Sequence, residues 1–155
     1  MRLHIKLHLP ITVVVDADAD GFTSAAIFLN YMYDLYSYNQ SKEETLTKLN
    51  YILHSGKQHG LEDVVDQLLK DDSGLIVIPD AGTNDIEQMQ RLIDSGKFIL
   101  CMDHHESDNW LEADNCIIIN NQICDYPNKN LSGAGVTWQI CKAYDKIMDL
   151  ENLES

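Results

Sequence analysis

The chain has 155 residues, 45% hydrophobic and 23% charged, with 25 Asp and Glu against 11 Lys and Arg and a formal net charge of −14. That length accommodates one domain with a real core and is short for two. The acidity argues against a protein that grips nucleic acid through a general basic surface, while leaving room for a local, metal-centred contact.

Residues 1–10 alternate Leu3, Ile5, Leu7 and Leu9 with Arg2, His4, Lys6 and His8, the period of a strand and not the core of a signal peptide. They read as a leader or an edge strand before a domain over residues 11–155. Ile11 to Val15 is a β-branched run expected to be a buried strand, and it leads into Asp16-Ala17-Asp18-Ala19-Asp20-Gly21. Phe22 to Tyr36 carries Phe22, Ala25, Ala26, Leu29, Met32, Tyr33 and Tyr36 at helical spacing. A polar stretch, Ser37 to Lys48, connects to a second strand, Leu49 to Leu53, followed by the polar turn His54 to Gly60 and an amphipathic helix from Leu61 to Leu69.

The strand Leu75 to Ile78 runs into Pro79-Asp80-Ala81-Gly82, and Asp85 to Ser95 shows a helical face of Ile86, Met89, Leu92 and Ile93 that ends at Gly96. Phe98 to Met102 is a strand ending in Asp103-His104-His105. Cys116 to Ile119 is a further strand, and Ala134 to Leu150 a final helix. Strands alternating with helices imply an α/β fold, an open, mainly parallel sheet with helices on both faces. No apolar run approaches the roughly 20 residues that span a bilayer, so no membrane contact is expected. Cys101, Cys116, Cys124 and Cys141 lack CxxC spacing and read as buried thiols of a cytoplasmic protein.

Three strands thus end on acidic clusters, and a parallel sheet sets their C-terminal ends along one edge. Asp16, Asp18, Asp20, Asp80 and Asp103 would converge there with His104 and His105. Like charges gathered at one edge require a counter-charge, and a pair of divalent cations supplies it. Carboxylates suit Mg²⁺ or Mn²⁺, and histidine nitrogen tilts the choice to Mn²⁺. An EF-hand calcium loop is ruled out by its missing twelfth-position glutamate and by the strand and helix that flank the cluster. Two further segments fit substrate phosphate. His54 to Gly60 places Lys57 and His59 after a strand, and a plain solvated turn is the alternative. Asn130 to Gly135, with Ser132, Gly133 and Gly135, opens the last helix with small residues that leave amides for an anion, and a capping turn is the alternative.

Taken in order, the DxDADG cluster at Asp16 to Gly21, Asp80, and Asp103-His104-His105 resemble the motifs of the DHH phosphoesterase superfamily. The first motif and the segment from Tyr126-Pro127 to Leu131-Ser132-Gly133-Ala134-Gly135-Val136 are similar to RecJ-like exonucleases specific for single-stranded DNA. The resemblance implies that Asp18, Asp20, Asp80 and His104 hold metal with Asp16 beside them, and that Asp103 and His105 belong to the catalytic set, His105 against the scissile phosphate. It implies two Mn²⁺ or Mg²⁺ ions and phosphodiester hydrolysis of single-stranded DNA to 5′-mononucleotides. The family's fourth aspartate motif and smaller C-terminal domain do not occur before Ser155, so a further domain or chain is expected to complete the site. The alternatives are a phosphodiesterase of short oligonucleotides or cyclic dinucleotides, and a catalytically incomplete metal-binding domain.

Overall fold

The structure is a computed structural model that describes residues 9–38 and 40–148; residues 1–8 of the leader or edge strand expected over residues 1–10, and the end of the last helix at Leu150, lie outside the described residues. Five strands, β1 (Ile11–Val15), β2 (Leu49–Leu53), β3 (Leu75–Pro79), β4 (Phe98–Asp103) and β5 (Cys116–Asn120), form one sheet in the order β2-β1-β3-β4-β5. Every pairing is parallel, with Val13 beside both Tyr51 and Val77, and Asp103 beside Asn120. The connection from β1 steps outward to β2, and the next returns across β1 to β3. Right-handed crossovers therefore deliver their helices to opposite faces.

Those helices are α1 (Ala19–Ser37), α2 (Lys42–Leu46), α3 (Val65–Leu68), α4 (Ile86–Asp94) and α5 (Gly133–Met148). Alternate residues of each central strand feed two separate cores. Ile11, Val13, Val15, Val77 and Met102 pack against Phe28 and Met32 of α1 and Val136 of α5. Val14, Ile76, Ile78 and Cys101 pack against Leu68 of α3 and Met89 and Leu92 of α4. All residues of β1 and β3 are buried, which is why these strands read as unbroken apolar runs and not as alternating ones. The direction in which the strand order grows reverses between β1 and β3, and the connections that leave the parallel strand ends diverge at such a switch point to leave a crevice.

Several elements differ from the sequence reading. Helix α1 starts at Ala19 and not Phe22, because Asp18 caps it by accepting from the Gly21 amide at 2.9 Å. Phe22 accordingly falls outside the packed face and is 53% exposed. The stretch expected as coil contains α2, started by a capping box between Ser41 and Glu44. Of the helix expected over Leu61 to Leu69, only Val65–Leu68 is helical. The thiols are all free, with Cys101 and Cys141 buried, Cys116 half-buried and Cys124 exposed, so the uniform burial expected for them does not hold. Among the described residues no helix is long and apolar enough to cross a membrane.

Candidate metal centre

Asp16 follows the last residue of β1, Asp80 the last of β3, and Asp103 closes β4 with His104 and His105 after it. The parallel register brings these positions to the same sheet edge. Among the described residues, two groups of three possible metal ligands form there: Asp20, Asp80 and His104, and Asp16, Asp18 and His59. Within each group the ligand atoms lie within 4.8 Å of one another.

In the first group His104 Nε2 stands 3.1 Å from Asp80 Oδ1 and 3.7 Å from Asp20 Oδ2. Asp20 is held by the first turn of α5, where the Gly133 and Ala134 amides donate to its two oxygens at 2.8 and 3.1 Å. Burial alone would raise the Asp20 carboxyl. The two amides, with the Ser132 hydroxyl and the charge of His104, together outweigh it and keep the group below the ordinary carboxylate range. Asp80 has no such support. It is 1% exposed and adopts the left-handed conformation, φ 71°. Burial first, then the charges of Asp20 and Asp18, push its carboxyl up to about 8. A Cβ on Gly133 would sit 1.9 Å from Asp80 Oδ1, so only a hydrogen fits between α5 and that carboxylate.

In the second group the His59 ring crosses from the β2–α3 turn to Asp16, with Nδ1 2.6 Å from Oδ2. The hydrogen bond that the ring donates to Asp16, with the charge of that carboxylate, raises the His59 imidazole above its usual range. The other oxygen, Asp16 Oδ1, and Asp80 Oδ1 are both buried with no hydrogen-bond partner among the described residues. Two buried acceptors without donors, beside imidazole nitrogens, fit divalent cations bound by mixed oxygen and nitrogen ligands.

Asp103 has a different part. It accepts from the amides of Thr83 (3.0 Å), His104 (2.7 Å) and His105 (3.2 Å) and from His105 Nδ1 (2.7 Å). Burial would raise it, but the Thr83 amide and His105 hold it low, and it in turn raises the His105 imidazole against that group's own burial. Asp103 therefore shapes the turn that presents the two histidines. Two residues that the sequence reading passed over lock this turn. Asn120 Nδ2 donates to Thr83 Oγ1 at 3.0 Å and to the His105 carbonyl at 2.8 Å. Its signal was available: Asn120 ends an apolar strand, as the three acidic clusters do.

The residues expected to take substrate phosphate are placed unevenly. Lys57 and Ser132 are exposed, and His59 faces Asp16. Gly133 serves Asp20 and borders Asp80. The anion at the α5 N-terminus is thus Asp20 itself. Gly135 donates its amide to Ser132 Oγ at 3.4 Å. Lys129 Nζ donates to the carbonyls of Cys124 (2.6 Å) and Gln122 (3.4 Å). Asp85, at the N-cap position of α4, makes no capping bond with its side chain and accepts instead from the Leu61 amide at 3.0 Å. A cavity of about 180 Å³ borders the centre, lined by His59, Gly82, Asn84, Asp85, Asp103 and His105 among others.

The chain is similar to known proteins in sequence and in fold. The DHH family, N-terminal domain, matches residues 10–154. A prophage SPbeta protein of Bacillus subtilis (strain 168), named as the single-strand DNA-specific exonuclease YorK, is 34% identical over 152 residues, covering 97% of this chain and 24% of its own length. The single-stranded-DNA-specific exonuclease RecJ of Escherichia coli (strain K12) is 31% identical over 137 residues, 86% of this chain and 22% of that protein. The chain therefore spans about a quarter of the length of these curated relatives. Among solved structures, exonuclease RecJ bound to manganese superposes with a TM-score of 0.76 at 18% identity, over 98% of this chain and 37% of that one, a likeness of fold.

Proposed function

The chain belongs to the DHH family, and on that premise we propose that it is a metal-dependent phosphodiester hydrolase that releases mononucleotides from single-stranded DNA. The observation that carries the reading is the meeting of six possible ligands, in two groups of three, at one edge of the sheet. The names of the relatives supply the substrate class, and the manganese of the solved RecJ structure favours Mn²⁺ over Mg²⁺.

Asp18, Asp20, Asp80 and His104, with Asp16 beside them, would hold the ions. Bound there, two divalent ions supply positive charge to the phosphate oxygens and lower the pKa of the attacking water. The chain's own groups do the rest. The α5 amides fix Asp20, so one ligand is oriented before any ion arrives. Asp103 engages His105 Nδ1 and leaves Nε2 as the ring atom that can donate to a phosphate oxygen or to the leaving group. The cavity beside His105 gives the strand end a place to enter.

The test is Mn²⁺-dependent release of mononucleotides from a long, 5′-phosphorylated single strand by the chain and by its Asp80→Asn variant. Release by the parent alone supports the reading, and equal release by both removes Asp80 from the chemistry. A second reading, cleavage of short oligonucleotides or cyclic dinucleotides, has one observation in its favour: Lys129, just before the Asn130 to Gly135 segment, is committed to main-chain carbonyls, so it offers little to a long polyanion. A length series of substrates separates the two.

A further inference from the structure

Resting on the metal-centre reading above, we propose that His59 is itself a metal ligand, completing with Asp16 and Asp18 a cation site separate from that of Asp20, Asp80 and His104. The sequence reading assigned His59 to substrate phosphate. Its position argues otherwise. The ring leaves the β2–α3 turn, crosses 43 positions of sequence, and meets a carboxylate that is only 2% exposed. A histidine recruited to bind phosphate has no reason to face a buried anion. A cation between the two accounts for both.

The donor arithmetic agrees. Asp16 offers two oxygens: Oδ2 lies 2.6 Å from His59 Nδ1, and Oδ1 is buried without a partner among the described residues. Neighbouring ligands around an octahedral ion at about 2.1 Å stand about 3 Å apart, so the nitrogen and Oδ2 need to separate only slightly to share one ion. Asp18 keeps one oxygen on the Gly21 amide and has its second available as the third donor. The result is one nitrogen and two carboxylates, the same donor set as Asp20, Asp80 and His104. Both sites would then favour Mn²⁺ for the same reason.

The turn that carries His59 is pinned from behind. Gly60 has φ +73°, and a Cβ there would fall 2.2 Å from Asp85 Oδ2, the atom that also accepts from the Leu61 amide. Asp85 at the start of α4 therefore holds the turn against the sheet edge, and His59 reaches Asp16 from a fixed base.

The experiment is a Mn²⁺ titration of the chain by calorimetry, with pulsed electron paramagnetic resonance on bound Mn²⁺ to count coordinated histidine nitrogens. The parent is expected to bind two ions and show two histidine couplings. His59→Gln is expected to lose one ion and one coupling, and His104→Gln to lose the other pair. His59 is largely exposed, and a thermal melt in chelator checks that the variant is folded. If His59→Gln keeps both ions and both couplings while His104→Gln loses its own, the His59 proposal is overturned and the hydrolase reading stands. If the parent binds no Mn²⁺, both fail together.

Discussion

Asp80→Asn is expected to stabilise the ion-free chain while removing the metal response of the Asp20, Asp80 and His104 group. Asp80 is 1% exposed, and burial followed by the charges of Asp20 and Asp18 lifts its carboxyl from the ordinary 3.8 to about 8. Between those values the folded chain holds a proton that the unfolded chain releases. Stability from this group is fully present below about pH 4 and declines as pH rises through about 8. At pH 7 the gap spans about three decades of proton affinity, which at about 1.4 kcal/mol each gives an upper figure of about 4 kcal/mol. Asparagine has nearly the same shape, carries no charge, and tolerates the φ of 71°. For a domain of this size each kcal/mol moves the melting temperature by roughly 2–4 °C, so the variant should melt about 10 °C higher near pH 7. Thermal unfolding followed by circular dichroism, in chelator and at steps from about pH 5 to pH 8.5, measures it. The gap should widen with pH. Excess Mn²⁺ should narrow or reverse the gap, because only the parent gains the binding energy of the Asp20, Asp80 and His104 group. A gap that does not change with pH, or a variant less stable than the parent at pH 8, refutes the electrostatic account of Asp80.

Gly133→Ala places a methyl 1.9 Å from Asp80 Oδ1, so the helix or the carboxylate must shift. The expected outcome is a loss of about 1–3 kcal/mol in urea denaturation, with weakened Mn²⁺ binding at the Asp20, Asp80 and His104 group; unchanged affinity by calorimetry counts against that placement. Asn120→Ala removes the donor shared by Thr83 and the His105 carbonyl. Leaving those acceptors unpaired is expected to cost about 1–3 kcal/mol and to lower Mn²⁺ affinity roughly 10- to 100-fold through the loosened histidine turn; a variant that binds Mn²⁺ like the parent would show that the turn holds without it.

What could be read ahead of the structure was whatever repeats locally. The strand ends at Val15, Pro79 and Met102 stood out because buried parallel strands are unbroken apolar runs, and each is followed at once by acid. Family resemblance then tied the three clusters together. Local signals in conflict were lost. The Ser41 to Glu44 capping box is a standard helix start, but no apolar period follows it, so α2 went unread. Leu61, Val64, Val65 and Leu68 keep helical spacing and are all buried, yet the residues before Val65 form a turn and only Val65–Leu68 is helical. Asp18 was read for chemistry alone, although capping α1 is also its work. His59, Thr83 and Asn120 act across long stretches of chain, through partners that no local period announces.

The centre is legible as a problem in charge compensation. Wherever the fold could offer a donor to an acid, it does: two amides of α5 for Asp20, the Gly21 amide for Asp18, three amides and an imidazole for Asp103. Helix starts are suited to this because their first amides have no partner within the helix. Asp16 and Asp80 each retain a buried oxygen outside this scheme, and the two residues fall one in each ligand group. The compensation thus stops short at two points, each beside an imidazole. A cation at each point would offset the burial, and after it the repulsion, that raise Asp80, so metal affinity and the instability of the ion-free chain have a common origin. Any substitution that quiets the repulsion, Asp80→Asn first, must strengthen the fold and weaken the metal centre together.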